Sequence, residues 1–365
     1  MKIDFLKIQN FRNIEWIEFN PAQNINVLLG ENAQGKTNLL EAIYTLSTST
    51  SFRGTSDQSL VRSKCEEFYL AAGYTREERS FSTQLVYGAK KKNFKINGKR
   101  ANHNHSDRLR VVLFTPDDLY LVKGSPSRRR AFLDFVLRQL SKEYLYYSEN
   151  YTKLLKKRNF LLKKEQTNSK SFQVLEELFT ESAARVILAR MNFVQNLDEI
   201  AAPIFAAINQ GKEDLKIRYA LSFPIDSGKI NLDNIRLALG KQIMQKKEEE
   251  KRRQSTVAGP HLDDLHFYLG QSPARIYASQ GQQRTIAVTV KLAEIFSFYR
   301  IMNFYPIFLM DEVLAELDEA RKKALVEILA RGPFQTFLTT IMLGPLENSG
   351  ALVNIMREGR LMRKE

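Results

Sequence analysis

The segment Gly30-Glu31-Asn32-Ala33-Gln34-Gly35-Lys36-Thr37 constrains this chain more than any other. It fits G-x-x-x-x-G-K-[ST], a loop whose backbone N–H groups wrap phosphates, whose lysine reaches the β- and γ-phosphates and whose hydroxyl ligates Mg2+. The glycines allow the tight loop, and the helix that follows points its positive end at the same anion. The flanks agree. Ile25–Leu29 reads as a strand, and Leu39, Leu40, Ile43 and Leu46 share one face of a helix. ATP and Mg2+ are the expected ligands, with Lys36 on the phosphates and Thr37 on the metal.

A second segment completes that chemistry. Tyr305-Pro306-Ile307-Phe308-Leu309-Met310-Asp311-Glu312 is an apolar run ending in two carboxylates, the pattern of a buried parallel strand. Asp311 is expected to hold Mg2+, and Glu312 to orient or deprotonate the water that attacks the γ-phosphate.

A third segment, Ser279-Gln280-Gly281-Gln282-Gln283-Arg284, precedes a helical run and lies roughly thirty residues before the acidic pair. A small polar residue, a glycine and open helix N–H groups make another anion site. One phosphate loop already serves one nucleotide. A second such site in the same chain is expected to serve the nucleotide of a second copy, so that two chains sandwich two ATP molecules head to tail.

Elsewhere the pattern organises the chain into an α/β domain split by a helical insertion. Strands are expected at Ile14–Phe19, Glu67–Ala71, Phe81–Tyr87, Phe94–Arg100 and Val111–Phe114, with Asn97-Gly98 as a hairpin turn. Leu133, Val136, Leu137 and Leu140 open a helical stretch, and Tyr144, Tyr147, Tyr151, Leu154 and Leu155 form a stripe that reads as core rather than as a platform for bases. Residues 1–115 and 256–365 are expected to build the two halves of one domain around a helical arm at 116–255. No helix has the length of an extended coiled coil.

The charge balance bears on the partner. Fifty-five Lys and Arg face 41 Asp and Glu, a net +14, which suits a polyanion. The basic clusters are Lys90-Lys91-Lys92, Lys99-Arg100, Arg128-Arg129-Arg130, Lys156-Lys157-Arg158 and Lys251-Arg252-Arg253. The first and third are the candidate DNA contacts. No base-reading element is recognisable, so sequence-independent binding to the phosphate backbone is expected. Lys246–Lys251 reads as a solvated face. His261 with Asp263 and Asp264 could suggest a metal, although a structural or nucleotide-edge role is favoured. No run approaches the ~18 apolar residues of a membrane helix, and Cys65 is the single cysteine, which fits a cytoplasmic, nucleoid-associated protein.

These segments together resemble a known family. Ser279–Gln283 is similar to the signature motif of ABC ATPases, and Ala315-Glu316-Leu317-Asp318 to their D-loop, which assigns Asp318. Gly35–Ile43, with Asn38, resembles the SMC branch, where Phe11-Arg12-Asn13 lies near the nucleotide. The fullest resemblance is to the RecF family of bacterial recombination proteins. It is carried by Asn10–Asn13, Phe114–Leu119, Val122–Pro126, Arg128–Asp134, Gly259–Asp264, Ala278–Thr285 and Met310–Glu312. The resemblance implies an ABC-type ATPase head with a mixed sheet, an antiparallel β subdomain and a helical arm. It also implies ATP-dependent dimerisation, DNA binding, slow hydrolysis, and action with RecO and RecR to load RecA at gaps. Two positions depart from related patterns. Thr339-Thr340 stands where transporters carry a switch histidine, and Phe52 where a histidine is common in the family. With the helical insertion, the first argues against a transporter subunit.

Overall fold

The computed structural model describes residues 1–102, 105–225 and 230–364. The chain forms two compact units, one of residues 1–120, 204–212 and 279–365, the other of residues 121–203 and 213–278.

The first unit contains two six-stranded sheets. One is antiparallel, in the order β2 (Ile14–Phe19), β1 (Lys2–Phe11), β4 (Phe68–Arg76), β5 (Arg79–Gly88), β6 (Lys91–Ile96) and β7 (Lys99–Arg100). Its inward residues follow the two-residue period of a half-buried sheet: Leu6 and Ile8 in β1, and Leu85 and Tyr87 in β5, are buried. Asn97 and Gly98 take φ of 48° and 74° and close the β6–β7 hairpin. Ala89 and Lys90 do the same between β5 and β6, at 48° and 59°.

The other sheet runs β15 (Arg360–Arg363), β14 (Leu352–Arg357), β3 (Ile25–Leu29), β13 (Thr336–Thr340), β12 (Ile307–Met310) and β8 (Val111–Phe114). All neighbours are parallel except β14 and β15. Strands covered on both faces read as continuous apolar runs, and every residue of β12 is buried. Helix α1 (Lys36–Thr48) packs against strands of both sheets. Helix α9 (Gln280–Met302) is buried nearly all round from Thr285 to Ile295, which is why it shows no amphipathic stripe. Helix α10 (Glu319–Arg331) lies between β12 and β13 in sequence. The fold is thus the expected mixed sheet with an antiparallel companion.

The second unit is mainly helical. After the single turn α2 (Tyr120–Lys123) come α3 (Pro126–Leu140), α4 (Lys142–Lys163) and α5 (Lys170–Asn209), then α6 (Leu232–Gln245), α7 (Lys247–Arg253) and the short α8 (Ala274–Tyr277). At 40 residues, α5 is about 60 Å long. Of the α4 stripe, Tyr144 and Tyr151 are buried, whereas Tyr147, Leu154 and Leu155 are half-buried. Arg158, on the same helix, is 1% exposed and forks onto Glu250 at 2.6 and 3.0 Å.

The unit also holds a small sheet, β11 (Ser272–Pro273), β10 (Asp264–Leu269) and β9 (Leu215–Ala220). The two units exchange at 120/121, 203/204, 212/213 and 278/279, so that the end of α5 belongs to the first unit. Residues 256–278 cluster with the arm because β10 pairs with β9 from Asp264↔Ala220 to Leu269↔Leu215. Leu215 and Ile217 alternate with Lys216 and Arg218, a strand pattern whose partner lies more than forty residues away.

Candidate functional site

The phosphate loop is shaped by two close approaches. Gly35 caps α1 with φ of 108°, and a Cβ there would sit 2.8 Å from Asn13 Oδ1. A Cβ on Gly30 would sit 2.5 Å from the carbonyl oxygen of Met356. Only glycine fits either position. The β14–β15 turn braces the loop: the N–H groups of Glu358 and Gly359 donate to Gln34 Oε1 at 2.7 Å and Gln34 O at 2.9 Å. No acidic residue lies in the first turn of α1, which keeps its positive end free to face an anion. Glu31, Asn32 and Ala33 are exposed, whereas Lys36 is buried.

Lys36 Nζ donates to the carbonyls of Gly30 at 2.6 Å and Glu31 at 3.2 Å, and lies 3.2 Å from Glu312 Oε1. Thr37 Oγ1 donates to Asp311 Oδ1 at 2.8 Å. The end of β3 and the end of β12 therefore meet, and lysine, threonine and the acidic pair form one cluster. Thr339, at the end of β13, completes it. Its hydroxyl donates to Asp311 Oδ1 at 3.0 Å and accepts from the Glu312 N–H at 2.8 Å, while Glu312 itself takes φ of 53°. Burial pushes the Asp311 carboxyl above its ordinary range, and the two threonine hydroxyls oppose that shift. Thr340 is buried, and its hydroxyl donates to Met342 O.

Arg12 is engaged by several side chains and backbone groups. Its guanidinium forks onto Glu41 at 3.0 and 2.9 Å and also donates to Ser59 O and Thr55 Oγ1. Glu41 is fully buried and further receives the Ser51 hydroxyl, with Arg53 3.6 Å away. Asn38 Nδ2 donates to Asn13 Oδ1 at 2.8 Å, and Asn38 Oδ1 accepts from Arg53 at 3.1 Å. Glu41, Arg53, Thr339 and the 358–359 turn are not among the expected site residues. A glutamate after a Gly-Lys-Thr is visible in the sequence, but nothing local points to the turn. Phe52 packs edge-on against Tyr44, with ring centroids 5.5 Å apart.

The signature segment begins α9. Ser279 Oγ accepts from the Gln282 N–H at 3.3 Å, and Gln282 Oε1 accepts from the Ser279 N–H at 2.7 Å, a reciprocal capping box. Ser279 and Gln280 are exposed. Asp318 caps α10 and pairs with Arg321. A Cβ on Gly281 would meet Arg321 Nη1 at 3.3 Å, and Arg284 pairs with Glu316 at 2.6 Å. Signature segment and D-loop thus form one patch at the starts of two helices.

The basic clusters divide on burial. Lys90 and Lys91 are exposed at the β5–β6 turn, and Lys92 pairs with Asp57. Arg128 is exposed. Arg129 is not a surface cation: it is 1% exposed, forks onto Asp264 at 2.7 and 2.8 Å, and donates to Gly124 O. That burial leaves it no route to a phosphate. Arg130 is half-buried and donates to Asp263 O at 2.9 Å. Arg158 is buried as described, and Lys251 and Arg253 pair with Glu248 and Glu249 on their own helix. His261 sits between Tyr151 OH, 2.6 Å from Nδ1, and Thr256 O, 3.2 Å from Nε2. Asp263 accepts from Tyr219 and Ser222. These contacts make His261, Asp263 and Asp264 braces within the arm, and no cluster of three or more metal-ligating side chains of this kind occurs among the described residues.

A phosphate loop facing an acidic strand end, on a mixed sheet interrupted by a helical arm and followed by a signature helix, defines an ATPase head of the ABC and SMC type. The comparisons with known proteins agree. Residues 2–363 match the model described as the RecF/RecN/SMC N terminal domain. Proteins called DNA replication and repair protein RecF from Bacillus mycoides (strain KBAB4) and Bacillus cereus (strain G9842) are each 39% identical over 354 residues, covering 95% of this chain and 94% of theirs. A solved structure of the recombination mediator protein RecF with ATPrS superposes with a TM-score of 0.87 at 29% identity, over 100% of this chain and 98% of that one. An SMC head from Pyrococcus furiosus shares the fold, with a TM-score of 0.57 at 16% identity over 99% and 95%. The chain belongs to the RecF family. Among the described residues no helix is long and apolar enough to cross a membrane.

Proposed function

We propose that this chain is an ATP-dependent, DNA-binding switch of recombinational repair and replication. It binds ATP at residues 30–38, dimerises head to tail on it, hydrolyses it slowly, and acts with RecO- and RecR-type partners to load RecA at gaps. The observation that carries the reading is the meeting of Lys36, Thr37, Asp311, Glu312 and Thr339 at the ends of three neighbouring parallel strands. The relatives' names supply the repair context.

Thr37 Oγ1 and Asp311 Oδ1 are adjacent hard oxygens, the donor set that suits Mg2+. When bound, the ion neutralises charge on the β- and γ-phosphates. Lys36 exchanges its Glu312 partner for phosphate oxygens, which frees Glu312 to orient the attacking water and take its proton. Thr339 fixes the Glu312 backbone while this happens. Ser279 and the N–H groups at the start of α9 reach the γ-phosphate of the second copy's nucleotide, and Asp318 lies in the same interface. A threonine hydroxyl at 339 or 340 brings no charge to the phosphate, in keeping with slow turnover. The remaining positive surface, including Lys90, Lys91 and Arg128, binds the DNA backbone without sequence preference and keeps the protein on the nucleoid in the cytoplasm.

Light scattering with and without Mg-ATP tests the switch. Wild type is expected to double in mass with ATP. Ser279→Arg is expected to bind ATP and stay monomeric, and Glu312→Gln to remain dimeric because hydrolysis no longer releases it. A wild type that stays monomeric at saturating ATP sinks the proposal.

A further inference from the structure

We propose that the helical arm carries a pocket for a phosphate monoester, built on the face of α3 that bears Arg130, Asp134 and Arg138. These residues are spaced four apart and share one side of the helix. They line a cavity of about 330 Å³ whose other walls include Thr152 of α4, Arg190 of α5 and His261. All of them belong to the second unit.

The charges in this cavity do not cancel. Arg190, 4% exposed, takes up Asp134: Nη2 lies 2.6 Å and Nε 3.1 Å from Asp134 Oδ1, which also receives the Tyr144 hydroxyl. These three contacts all fall on Oδ1, and no ion pair joins Asp134 to Arg130 or Arg138 among the described residues. Arg130 and Arg138 make no ion pair among the described residues. Arg130 commits one N–H to Asp263 O at 2.9 Å, and Arg138 donates Nε–H to Ser148 Oγ at 3.2 Å. Each guanidinium keeps further donors. His261 adds no negative charge. Burial, together with the positive charge of Arg130, Arg158 and Arg190, holds its imidazole below the usual range.

The lining therefore carries an excess of two positive charges on two planar donor groups, with the buried Arg190 also lining the cavity. Guanidinium pairs of this kind recognise phosphate bidentately. A carboxylate brings one negative charge and a phosphodiester one. A phosphate monoester brings about −1.5 to −2 near pH 7 and three acceptor oxygens, which matches the excess. The monoester is free, as inorganic phosphate or a phosphorylated metabolite, or is the end group of a nucleic-acid strand. The pocket uses the arm's own residues alone, so failure of ATP-driven dimerisation would leave it intact.

Equilibrium dialysis of labelled inorganic phosphate tests it, on full-length protein saturated with Mg-ADP so that the phosphate loop is filled. Wild type is expected to take up one equivalent saturably. Arg130→Gln with Arg138→Gln is expected to weaken uptake at least ten-fold. Lys163→Gln with Lys164→Gln, which removes the same charge from exposed positions, is expected to leave it unchanged. Should the arginine pair disturb folding, Arg138→Gln alone carries the test, since Arg138 is exposed. Competition by a 5′-phosphorylated tetranucleotide, but not by its 5′-hydroxyl twin, would identify a strand end as the ligand; competition by neither would support a free ester. The proposal is overturned if ADP-loaded wild type shows no saturable uptake, or if the lysine pair loses as much as the arginine pair.

Discussion

At the residue scale the nucleotide site depends on a few atoms with no substitutes. Gly35→Ala places a Cβ against Asn13 in a backbone conformation that alanine avoids, at a cost of about 1–3 kcal/mol. ATP affinity and thermal stability are expected to fall together, and an unchanged ATP titration would refute the role of this contact. Thr339→Val preserves shape but strips a donor from Asp311 and leaves the Glu312 N–H without its acceptor. Turnover is expected to drop about five-fold or more, by about 1–3 kcal/mol, with ATP binding less affected; single-turnover assays would separate the two. The phosphate loop and the acidic pair are legible in the sequence because each is a short local pattern. Thr339 is legible only as a departure from the transporter pattern. Its function depends on β12 and β13 lying side by side, which no residue near it announces. Arg129 shows the converse error: a run of three arginines looks alike in sequence, yet the period of α3 turns its middle member inward.

At the scale of elements, the arm is held by buried polar contacts as well as by its apolar faces. Arg158 on α4 joins Glu250 on α7 and Glu176 on α5. Arg158→Met leaves the buried Glu250 carboxylate without its cation and with only the Val257 N–H on Oε1, and a loss of about 3–5 kcal/mol is expected, readable as an earlier urea transition of the helical signal. His261 gives a pH test. Burial holds its folded-state pKa below the ordinary 6.5, so the unfolded chain binds more protons as pH falls through that value. Its contribution to stability is complete above about 6.5 and declines as the pH drops below it. His261→Gln should flatten that part of the stability profile relative to wild type; parallel profiles between pH 7 and 5.5 would rule this out. The helices of the arm are legible from their spacing. Strand β9 is obscured because a six-residue alternation amid helices carries little weight until β10 is known to pair with it.

At the scale of the whole molecule, a net charge of +14 predicts nucleic-acid affinity that falls steeply with salt and hardly varies with sequence. Lys90→Gln with Lys91→Gln is expected to lower the salt slope on duplex DNA by up to about 0.9 for each phosphate that these lysines neutralise. Filter-binding isotherms across a salt series would show it, and an unchanged slope would move the DNA surface elsewhere. The order in which the chain is made adds a consequence. The phosphate loop follows β3, yet both of that strand's sheet neighbours, β13 and β14, and the turn that braces Gln34 come from residues 336–359. At roughly 5–20 residues per second, the ribosome emits the Gly-Lys-Thr sequence on the order of tens of seconds before its walls exist. A nascent chain halted before β14 would carry every residue of the phosphate loop and still lack the site, so ATP binding doubles as a report that synthesis has passed β14 and the turn after it.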